Sequence, residues 1–181
     1  MSRKPCLTTL NGAILSDRDI RKLLKSGELK VVPLETSQIK QAGIDLTLSN
    51  EWFFIKDSIK APIRIETFSL EKDCVRIKRK QVVLETGQMC LALTKERINM
   101  PDYLIGIMEG RSRFARAGLT VHVTSSIIQP GSNNRQILEM VNLGPKPLLV
   151  KEGTRLTHVI FLQLSSPTTK PYKFYSTLRQ L

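Results

Sequence analysis

The sequence predicts a mainly β fold, a barrel or sandwich of short strands with one helix near the N-terminus. Short apolar runs recur along the chain, separated by glycine, proline or asparagine, as in all-β proteins. Only one segment carries clear helix signals, and no long helix alternates with the strands, which argues against a doubly wound α/β fold. The 181 residues fit a single domain over 1–181, with an N-terminal extension over about 1–13 and a C-terminal tail over about 165–181.

The predicted helix begins after Ser16 and ends at Gly27. Ser16 is a favourable N-cap, and Asp19 three residues later completes a capping-box pattern. The apolar side chains that follow fall on one helix face: Ile20, Leu23 and Leu24. Gly27 is a residue that commonly ends helices, and Pro33 prevents regular structure from continuing far beyond residues 31–32.

The rest of the chain is predicted to form short strands between turns, which is typical of a barrel or sandwich. Turn residues separate the apolar segments at Gly87, Pro101, Gly131, Gly144 and Gly153. In chain order, the predicted strands are Gly43–Leu48, Trp52–Ile55, Val82–Leu84, Met89–Leu93, Tyr103–Met108, Leu119–Val123, Ile137–Val141 and Val159–Leu164.

The composition does not indicate a membrane or secreted protein. The 41% hydrophobic and 24% charged content is ordinary for a globular domain, and no apolar run is long enough to span a bilayer. The first residues, MSRKPCLTTLNG, lack the apolar region of a signal peptide. We therefore expect a cytoplasmic protein without a membrane partner.

The cysteines do not indicate a metal or disulfide site. Cys6, Cys74 and Cys90 are scattered and form no C-x-x-C pair. Neither a zinc site nor a disulfide framework is therefore expected, and thiols in a reducing compartment are the simpler interpretation.

The formal net charge of +12 indicates an anionic partner, either a nucleotide or a nucleic acid. The sequence has no zinc-finger spacing and no RNP-type aromatic motif, and its 6% aromatic content does not favour a base-stacking surface. The basic run RIKRK, Arg76 to Lys80, is interpreted as an exposed strand or loop. We therefore expect no nucleic-acid partner, and we interpret the charge as attraction for a polyanionic nucleotide.

The most informative strand is ILEMVN, residues 137–142, because a carboxylate interrupts its apolar residues. Alternation places Ile137, Glu139 and Val141 on one face, with Leu138 and Met140 on the other. A carboxylate inside an apolar strand is costly unless it is paired or protonated, and a partly desolvated one suits general acid/base work. A solvated strand edge or a structural ion pair with an arginine explains Glu139 equally well at this point.

The stretch GRSRFARAG, Gly110 to Gly118, holds three arginines and one serine between two glycines. Arginine offers planar paired donors that suit phosphate, so the stretch is a candidate phosphate cradle. Alone it is weak support, because arginine-rich loops are more often solvated or ion-paired. For His122, in the strand LTVHVT, we expect an ordinary hydrogen bond, and His158 has no sequence neighbour that would make it a metal ligand.

The order of these motifs resembles the dCTP deaminase family of the dUTPase superfamily. GRSRFARAGL is followed by VHVT, then by PG and then by LE, in the order and spacing of that family. The segments ILSDRDIRKLLKSGELKVVP and QAGIDLTL are similar to its opening helix and first strand. LALTKERINMPDYLIG is similar to the strand and turn ahead of its arginine motif. The resemblance covers about residues 14–164.

The resemblance implies a dUTPase-like distorted β-barrel, jelly-roll-like, with an N-terminal helix. It implies a homotrimer with active sites shared between subunits. The implied reaction is zinc-independent deamination of dCTP to dUTP and ammonia, a hydrolysis at a cyclic amidine C–N bond. Mg²⁺ arrives on the triphosphate, and dUTP or dTTP are further nucleotides for such a site. A glutamate activates the water that attacks C4 of cytosine and passes a proton to the ring and the leaving ammonia.

Residue by residue, the resemblance assigns Glu139 as the water-activating glutamate. The arginine motif holds phosphates, Thr124 lies at the wall of the base pocket, and Tyr172 covers the nucleotide. Lys173 takes the place of a phosphate-binding lysine. The full set matched to nucleotide-binding positions is Arg111, Ser112, Arg113, Arg116, Thr124, Gln129, Ile137, Leu138, Tyr172 and Lys173. The resemblance implies no metal ligand among the side chains.

Several positions depart from the family pattern, and they surround the nucleotide. Gln129 stands where the family has an aspartate that accepts a hydrogen bond from the sugar 3′-OH and, in dUTPases, helps to place the water. Glutamine accepts hydrogen bonds but cannot act as a base, which argues against dUTP hydrolysis. The other departures are Arg113, Ser125, Ser126, Ser132, Asn133, Asn134, Thr157 and His158.

Three functions are consistent with this pattern. The first is dCTP deamination, and the second is a bifunctional reaction that continues to dUMP and pyrophosphate. The third is nucleotide binding without turnover by a homologue that has lost catalysis. Retention of Glu139, Arg111, Ser112 and Arg116 favours a working enzyme.

Overall fold

The structure is a computed structural model in which residues 13–172 are described. The longest helix of this part of the chain is α1 (Asp17–Ser26), and two single-turn helices are α2 (Leu70–Asp73) and α3 (Ser112–Ala115). Short 3₁₀ turns lie at Thr36–Gln38 and Ile65–Thr67. The strands are β1 Lys30–Val32, β2 Ile39–Lys40, β3 Gly43–Ile55, β4 Cys74–Lys78, β5 Gln81–Leu84, β6 Met89–Asn99, β7 Leu104–Gly110, β8 Leu119–Thr120, β9 Ile127–Ile128, β10 Asn133–Asn142, β11 Leu148–Lys151 and β12 Arg155–Gln163.

Within the described residues, one curled antiparallel sheet holds ten of these strands. Its main path runs β8-β10-β6-β3-β12-β7-β9, with β1 paired to β6 and both β2 and β4 paired to β3. The first half of β3 pairs with β12, and the second half pairs with β4 and β6. Because one strand serves two sets of partners, the sheet curls into half of a barrel. The predicted mainly β class, a distorted barrel with an N-terminal helix, is confirmed.

The start of α1 follows the predicted capping box. The Asp19 backbone N–H donates to Ser16 Oγ at 3.4 Å, and the Ser16 N–H donates to Asp19 Oδ2 at 3.1 Å. Ile20 and Leu23 are buried in the core, as the helical spacing predicted. The helix ends at Gly27, whose N–H donates to the Leu24 carbonyl at 3.2 Å. No helix among residues 13–172 has both the length and the apolar character needed to cross a bilayer.

Several strand predictions were wrong in their extent. The segments predicted as Gly43–Leu48 and Trp52–Ile55 form the single strand β3, which continues through the polar residues between them. The strand register shifts between Leu48 and Trp52, and the buried Glu51 forms ion pairs with Arg76 and Arg135. The predicted strand Leu119–Val123 stops at Thr120, because the following backbone turns its N–H groups toward a carboxylate.

The core fixes the orientation of β10, which carries the candidate active site. Leu138 and Met140 are fully buried in the main apolar core, together with large side chains such as Trp52 and Phe161. The opposite face of β10 therefore carries Ile137 and Glu139, as the alternation predicted. A smaller apolar cluster of Phe53, Cys74 and Leu93 packs on that side, with Leu70, Leu91 and Ile137 against it.

The basic run was interpreted correctly as exposed. Arg76, Ile77 and Lys78 end β4, and Arg79 and Lys80 lie in the turn that follows. Residues 1–12 and 173–181 lie outside the described residues. They include most of the predicted extension, the end of the predicted tail, and Lys173.

Candidate active site

A cavity of about 520 Å³ lies on the face of β10 that carries Glu139. Its floor is the sheet surface formed by β10, β6 and β3, including Ile137, Leu91 and Phe53. The segment over residues 125–129 and the segment around Phe68 form its walls. A space of this size, largely apolar with a few polar side chains, suits a small organic ligand such as a nucleoside.

Backbone groups hold the carboxylate of Glu139. The Val123 N–H donates to Glu139 Oε2 at 2.8 Å, and the Thr124 N–H lies 3.4 Å from the same oxygen. Within residues 13–172, Oε1 accepts no hydrogen bond and no arginine pairs with this carboxylate. None of the described arginines therefore supports the alternative of a structural ion pair. One oxygen is fixed and the other is available to a water molecule.

Three other predicted residues share the cavity with Glu139. Ile137 forms part of its floor, Gln129 lies at its wall, and Tyr172 also lines it. The backbone N–H of Tyr172 donates to the Pro130 carbonyl at 2.7 Å, which brings this part of the tail beside the site.

Leu138 and Thr124, two predicted nucleotide-binding residues outside the arginine motif, do not line the cavity. Leu138 was expected at the nucleotide, but its side chain is fully buried on the core side of β10, because alternate strand residues point to opposite faces. Thr124 is exposed, and its backbone N–H rather than its side chain approaches Glu139. The neighbouring Ser125 lines the cavity in its place.

The arginine motif lies outside the cavity. Arg111 is the N-cap of α3, the turn that carries Ser112 and Arg113, and none of the motif residues is part of the cavity lining. The Leu143 N–H donates to the Gly118 carbonyl at 2.7 Å, which docks the loop on the turn after β10. The guanidinium of Arg113 lies over the Phe114 ring at 5.2 Å, and Arg116 is exposed.

A buried aspartate that sequence reasoning missed forms an ion pair with Arg111. The side chain of Asp45 is only 4% exposed, and its Oδ2 lies 3.5 Å from Arg111 Nη1. On the other side, Asp45 Oδ1 lies 2.9 Å from His158 Nδ1, and Lys40 Nζ is 3.9 Å from Oδ2. Arg111 Nη1 also donates to the Arg155 carbonyl at 3.1 Å. The aspartate and its neighbours therefore fix the direction of a residue predicted to bind phosphate.

The two histidines both have acidic partners. His122 Nε2 lies 3.2 Å from Glu109 Oε2, so the expected hydrogen bond of His122 is confirmed. His158 pairs with Asp45 across β12 and β3, where the two residues are register partners. Sequence neighbours could not reveal the second pair, since its members are 113 positions apart.

Arg135 and Glu51 form a second charged group that sequence reasoning missed. Arg135 lines the cavity, and its Nη1 donates to Glu51 Oε1 at 2.6 Å. Arg76 pairs with the other oxygen of Glu51. Burial raises the pKa of Glu51, but the hydrogen bonds and charges of Arg135 and Arg76 outweigh it and lower that pKa below the ordinary value. The available signal was Glu51 itself, a carboxylate within the apolar segment NEWFFI.

Two cysteines line the cavity without forming a reactive or metal site. Burial raises the pKa of the Cys90 thiol to about 12, and burial is also the main cause of the raised pKa of Cys74. Both thiols therefore remain protonated near neutral pH. Among residues 13–172, no three histidine, cysteine or acidic side chains are grouped in a way that could hold a metal ion.

Comparison with known proteins identifies the family. The family model described as dCTP deaminase-like matches residues 14–164, and this range includes the cavity floor, Glu139 and the arginine motif. The chain belongs to the dCTP deaminase-like family. The resemblance inferred from the motifs is thereby confirmed.

Two proteins with different names are similar to this chain over most of its length. The dUMP-forming dCTP deaminase of Methanopyrus kandleri is 34% identical over 168 residues, covering 88% of this chain and 86% of that protein. The dCTP deaminase of Thermomicrobium roseum is 37% identical over 167 residues, covering 88% of this chain and 84% of that protein. Both forms of the family reaction therefore occur among proteins of comparable similarity.

A solved structure supports the fold of this dCTP deaminase-like chain. The crystal structure of 2′-deoxycytidine 5′-triphosphate deaminase from Agrobacterium tumefaciens matches with a TM-score of 0.67 at 23% identity. The match covers 84% of this chain and 49% of that one, so this chain spans about half the length of the solved protein. At this identity, the likeness concerns the fold.

Proposed function

We propose that this chain catalyses the hydrolytic deamination of dCTP to dUTP and ammonia. The observation that carries the proposal is the carboxylate of Glu139, which two backbone N–H groups orient inside a cavity of nucleoside size. Membership of the dCTP deaminase-like family supports the same reaction. The enzyme class is a hydrolase acting on the cyclic amidine C–N bond of cytosine.

Glu139 acts as the general base and then as the proton shuttle. Its free oxygen accepts a proton from water as the water oxygen forms a bond with C4 of cytosine. The proton is passed to the ring N3, which gives a tetrahedral intermediate. Glu139 then takes the proton of the new C4 hydroxyl and gives it to the amino group. The C4–N bond breaks as the C4 carbonyl forms, and ammonia leaves. The Val123 N–H, 2.8 Å from Oε2, keeps the carboxylate in position throughout these steps.

The substrate of this proposal is the magnesium complex of dCTP. Mg²⁺ prefers oxygen ligands and is commonly held by substrate phosphates and water rather than by a protein cage. The triphosphate oxygens would hold the ion in this way, and the side chains of residues 13–172 form no cluster of metal ligands. When bound with the nucleotide, Mg²⁺ would neutralise part of the phosphate charge. Binding of dUTP or dTTP and a cytoplasmic location remain predictions.

The position of the arginine motif supports the proposal of a homotrimer with shared active sites. Arg111, Ser112 and Arg116 do not line the cavity that contains Glu139 in the same chain. A partner subunit that contributes this motif would bring phosphate ligands to the cavity mouth. Mixing Glu139→Gln subunits with Arg116→Ala subunits tests the arrangement. Some mixed trimers then contain a site with Glu139 from one variant and Arg116 from the other, so that neither residue is missing. Deamination that reappears on mixing supports shared sites, whereas a mixture as inactive as its components contradicts them.

The activity is tested by measuring ammonia release from dCTP, CTP, dCMP and dUTP with Mg²⁺ present. We expect ammonia from dCTP, with an equal amount of dUTP formed. Glu85→Gln is the matched control for the variant Glu139→Gln. Glu85 is exposed in a turn and does not line the cavity, so its substitution should leave ammonia release unchanged. A folded protein that releases no ammonia from dCTP contradicts the proposal.

A second candidate is the bifunctional reaction to dUMP and pyrophosphate. It is favoured by the 34% identity to a relative named as dUMP-forming. It is opposed by Gln129, a neutral side chain in the cavity wall that cannot act as a base. Following pyrophosphate in the same assay separates the two, because the deaminase alone forms none.

A further inference from the structure

The end of the cavity away from Glu139 carries a positive charge. Arg135, Ile137 and Glu139 of β10 all line the cavity, although the strand register shifts between Arg135 and Ile137. The Cα atoms of Arg135 and Glu139 are at most roughly 13 Å apart at a strand rise of about 3.3 Å per residue. Ile137 lies between them, so a pyrimidine ring resting on Ile137 would have one charged group at each end.

Two hydrogen bonds fix the guanidinium of Arg135. Its Nε donates to the Thr94 carbonyl at 2.6 Å, and its Nη1 donates to Glu51 Oε1 at 2.6 Å. The second Nη forms no hydrogen bond with any residue in the range 13–172. The side chain is 16% exposed and belongs to the cavity wall, so its remaining donors are available to a ligand there.

The charges of Glu51, Arg76 and Arg135 do not cancel. Glu51 pairs with both Arg76 and Arg135, and two guanidinium groups against one carboxylate leave a net charge of +1. The lowered pKa of Glu51 keeps the carboxylate ionised at neutral pH. Arg76 is 41% exposed and does not line the cavity, whereas Arg135 does. The excess positive charge therefore meets the cavity through Arg135.

A buried hydroxyl at the cavity wall also lacks a partner. Ser132, in the turn before β10, lines the cavity and is 3% exposed, and its Oγ forms no hydrogen bond within the described residues. A buried polar group without a partner costs free energy, and a bound ligand oxygen would remove that cost. Arg135 and Ser132 thus offer unused hydrogen-bonding capacity in the cavity.

We propose that Arg135 binds the α-phosphate of the nucleotide and that Glu51 is its positioning residue. This inference rests on the proposed function, which places C4 of the base at Glu139. With C4 at that end and the ring over Ile137, the sugar and its 5′-phosphate extend toward Arg135. A guanidinium with free donors suits a phosphate oxygen better than the neutral edge of the base.

The test is binding of a graded series of nucleotides. The ligands are dCTP, dCDP, dCMP and deoxycytidine, and affinities are measured by calorimetry, with NMR titration for the weakest. The Glu139→Gln background suppresses turnover, so the affinities are measured on the unreacted nucleotides. Arg135→Gln is compared with Arg76→Gln, because both arginines pair with Glu51 but only Arg135 lines the cavity.

Arg135→Gln is expected to weaken binding of the three phosphorylated ligands by a similar factor, about 10- to 150-fold for a charged hydrogen bond. Deoxycytidine binding should not change, and Arg76→Gln should leave all four affinities unaltered. Equal weakening of deoxycytidine would overturn the assignment, because the contact would then be to the base or sugar. Equal weakening by Arg76→Gln would show a general effect on the fold, and no weakening at all would remove Arg135 from the site.

Two further variants separate positioning from folding. Arg135→Lys keeps the positive charge but loses the planar fork, and it should recover part of the phosphate-dependent affinity. Glu51→Gln leaves the arginine but loosens its anchor, so it should weaken the phosphorylated ligands and spare deoxycytidine. A purely structural role for Glu51 would instead lower all four affinities together, which would contradict the positioning role.

Discussion

Replacing Gly118 by alanine tests how the arginine-motif loop is held against the barrel. Gly118 has a backbone φ of 90°, in the left-handed region that side chains disfavour. An added Cβ would overlap backbone atoms of Gly144, in the turn after β10. Because these are backbone atoms and not the end of a flexible side chain, either the loop of Gly118 or the loop of Gly144 must move.

The cost can be worked out by comparison with Gly87. Gly87 has a φ of 78°, but nothing lies within 4 Å of a Cβ added there. Gly87→Ala should therefore lose only the conformational free energy, about 1–2 kcal/mol. Gly118→Ala has the same loss plus an overlap worth about 1–3 kcal/mol. The difference between the two variants, about 1–3 kcal/mol, is the quantity predicted.

Urea unfolding of both variants against the parent protein measures this difference in the free energy of unfolding. Because both substitutions remove the same flexibility from the unfolded chain, that contribution cancels. Triphosphate binding should also weaken more in Gly118→Ala, since its loop carries the arginine motif. Equal destabilisation by the two substitutions would refute the close approach of the Gly118 and Gly144 loops.

Four other predictions follow from the contacts described above. Asp45→Asn should weaken triphosphate binding without changing the core, because Arg111 loses the carboxylate 3.5 Å away. Calorimetry with dCTP measures this affinity, and an unchanged affinity would contradict the role of Asp45. Since the pKa of Glu51 is lowered, its contribution to stability is present above the ordinary glutamate pKa of about 4.3 and is lost as pH falls through the lower folded value. The stability difference between the parent protein and Glu51→Gln in urea should therefore shrink in acid; a constant difference would contradict it. Cys90, with a pKa of about 12, should react with a thiol reagent at mildly alkaline pH only after unfolding, and rapid native labelling would refute its burial. Leu138→Ala should cost about 2–5 kcal/mol in urea unfolding, because the side chain is fully buried, and a small loss would argue against the assigned face of β10.

The features predicted correctly from the sequence depend on short-range patterns. The capping box of α1 needs only Ser16 and Asp19, three positions apart, and both hydrogen bonds form. The orientation of Glu139 depends on strand alternation alone, and burial of Leu138 and Met140 fixes it. The order of the later motifs indicated the family, which the match over residues 14–164 confirms.

The features that were missed join distant parts of the chain. Asp45, Arg111 and His158 meet only because β3, β12 and the start of α3 are neighbours in the curled sheet. Glu51 and Arg135 are 84 positions apart, so nothing local indicates their pairing. The same pair explains the strand error, because a polar segment at residues 49–51 predicts a break unless its charge has a buried partner.

The side chain of Leu138 shows where a resemblance and a physical argument differ. The resemblance places residue 138 at the nucleotide, but alternation places its side chain in the core, where the structure has it. Only its backbone is on the strand that forms the cavity floor. A binding role assigned by resemblance is therefore best supported when the side chain of the residue also lies on the cavity face of its strand.

The most direct test of the central claim is the rate of dCTP deamination by Glu139→Gln, with dCTP affinity measured on the same protein. Glutamine keeps the shape of the side chain and an oxygen that accepts the Val123 N–H, but it cannot take a proton from water. The account predicts a loss of turnover of about 10²–10⁴-fold with dCTP affinity retained. Turnover equal to that of the parent protein would contradict the role of Glu139 as the base.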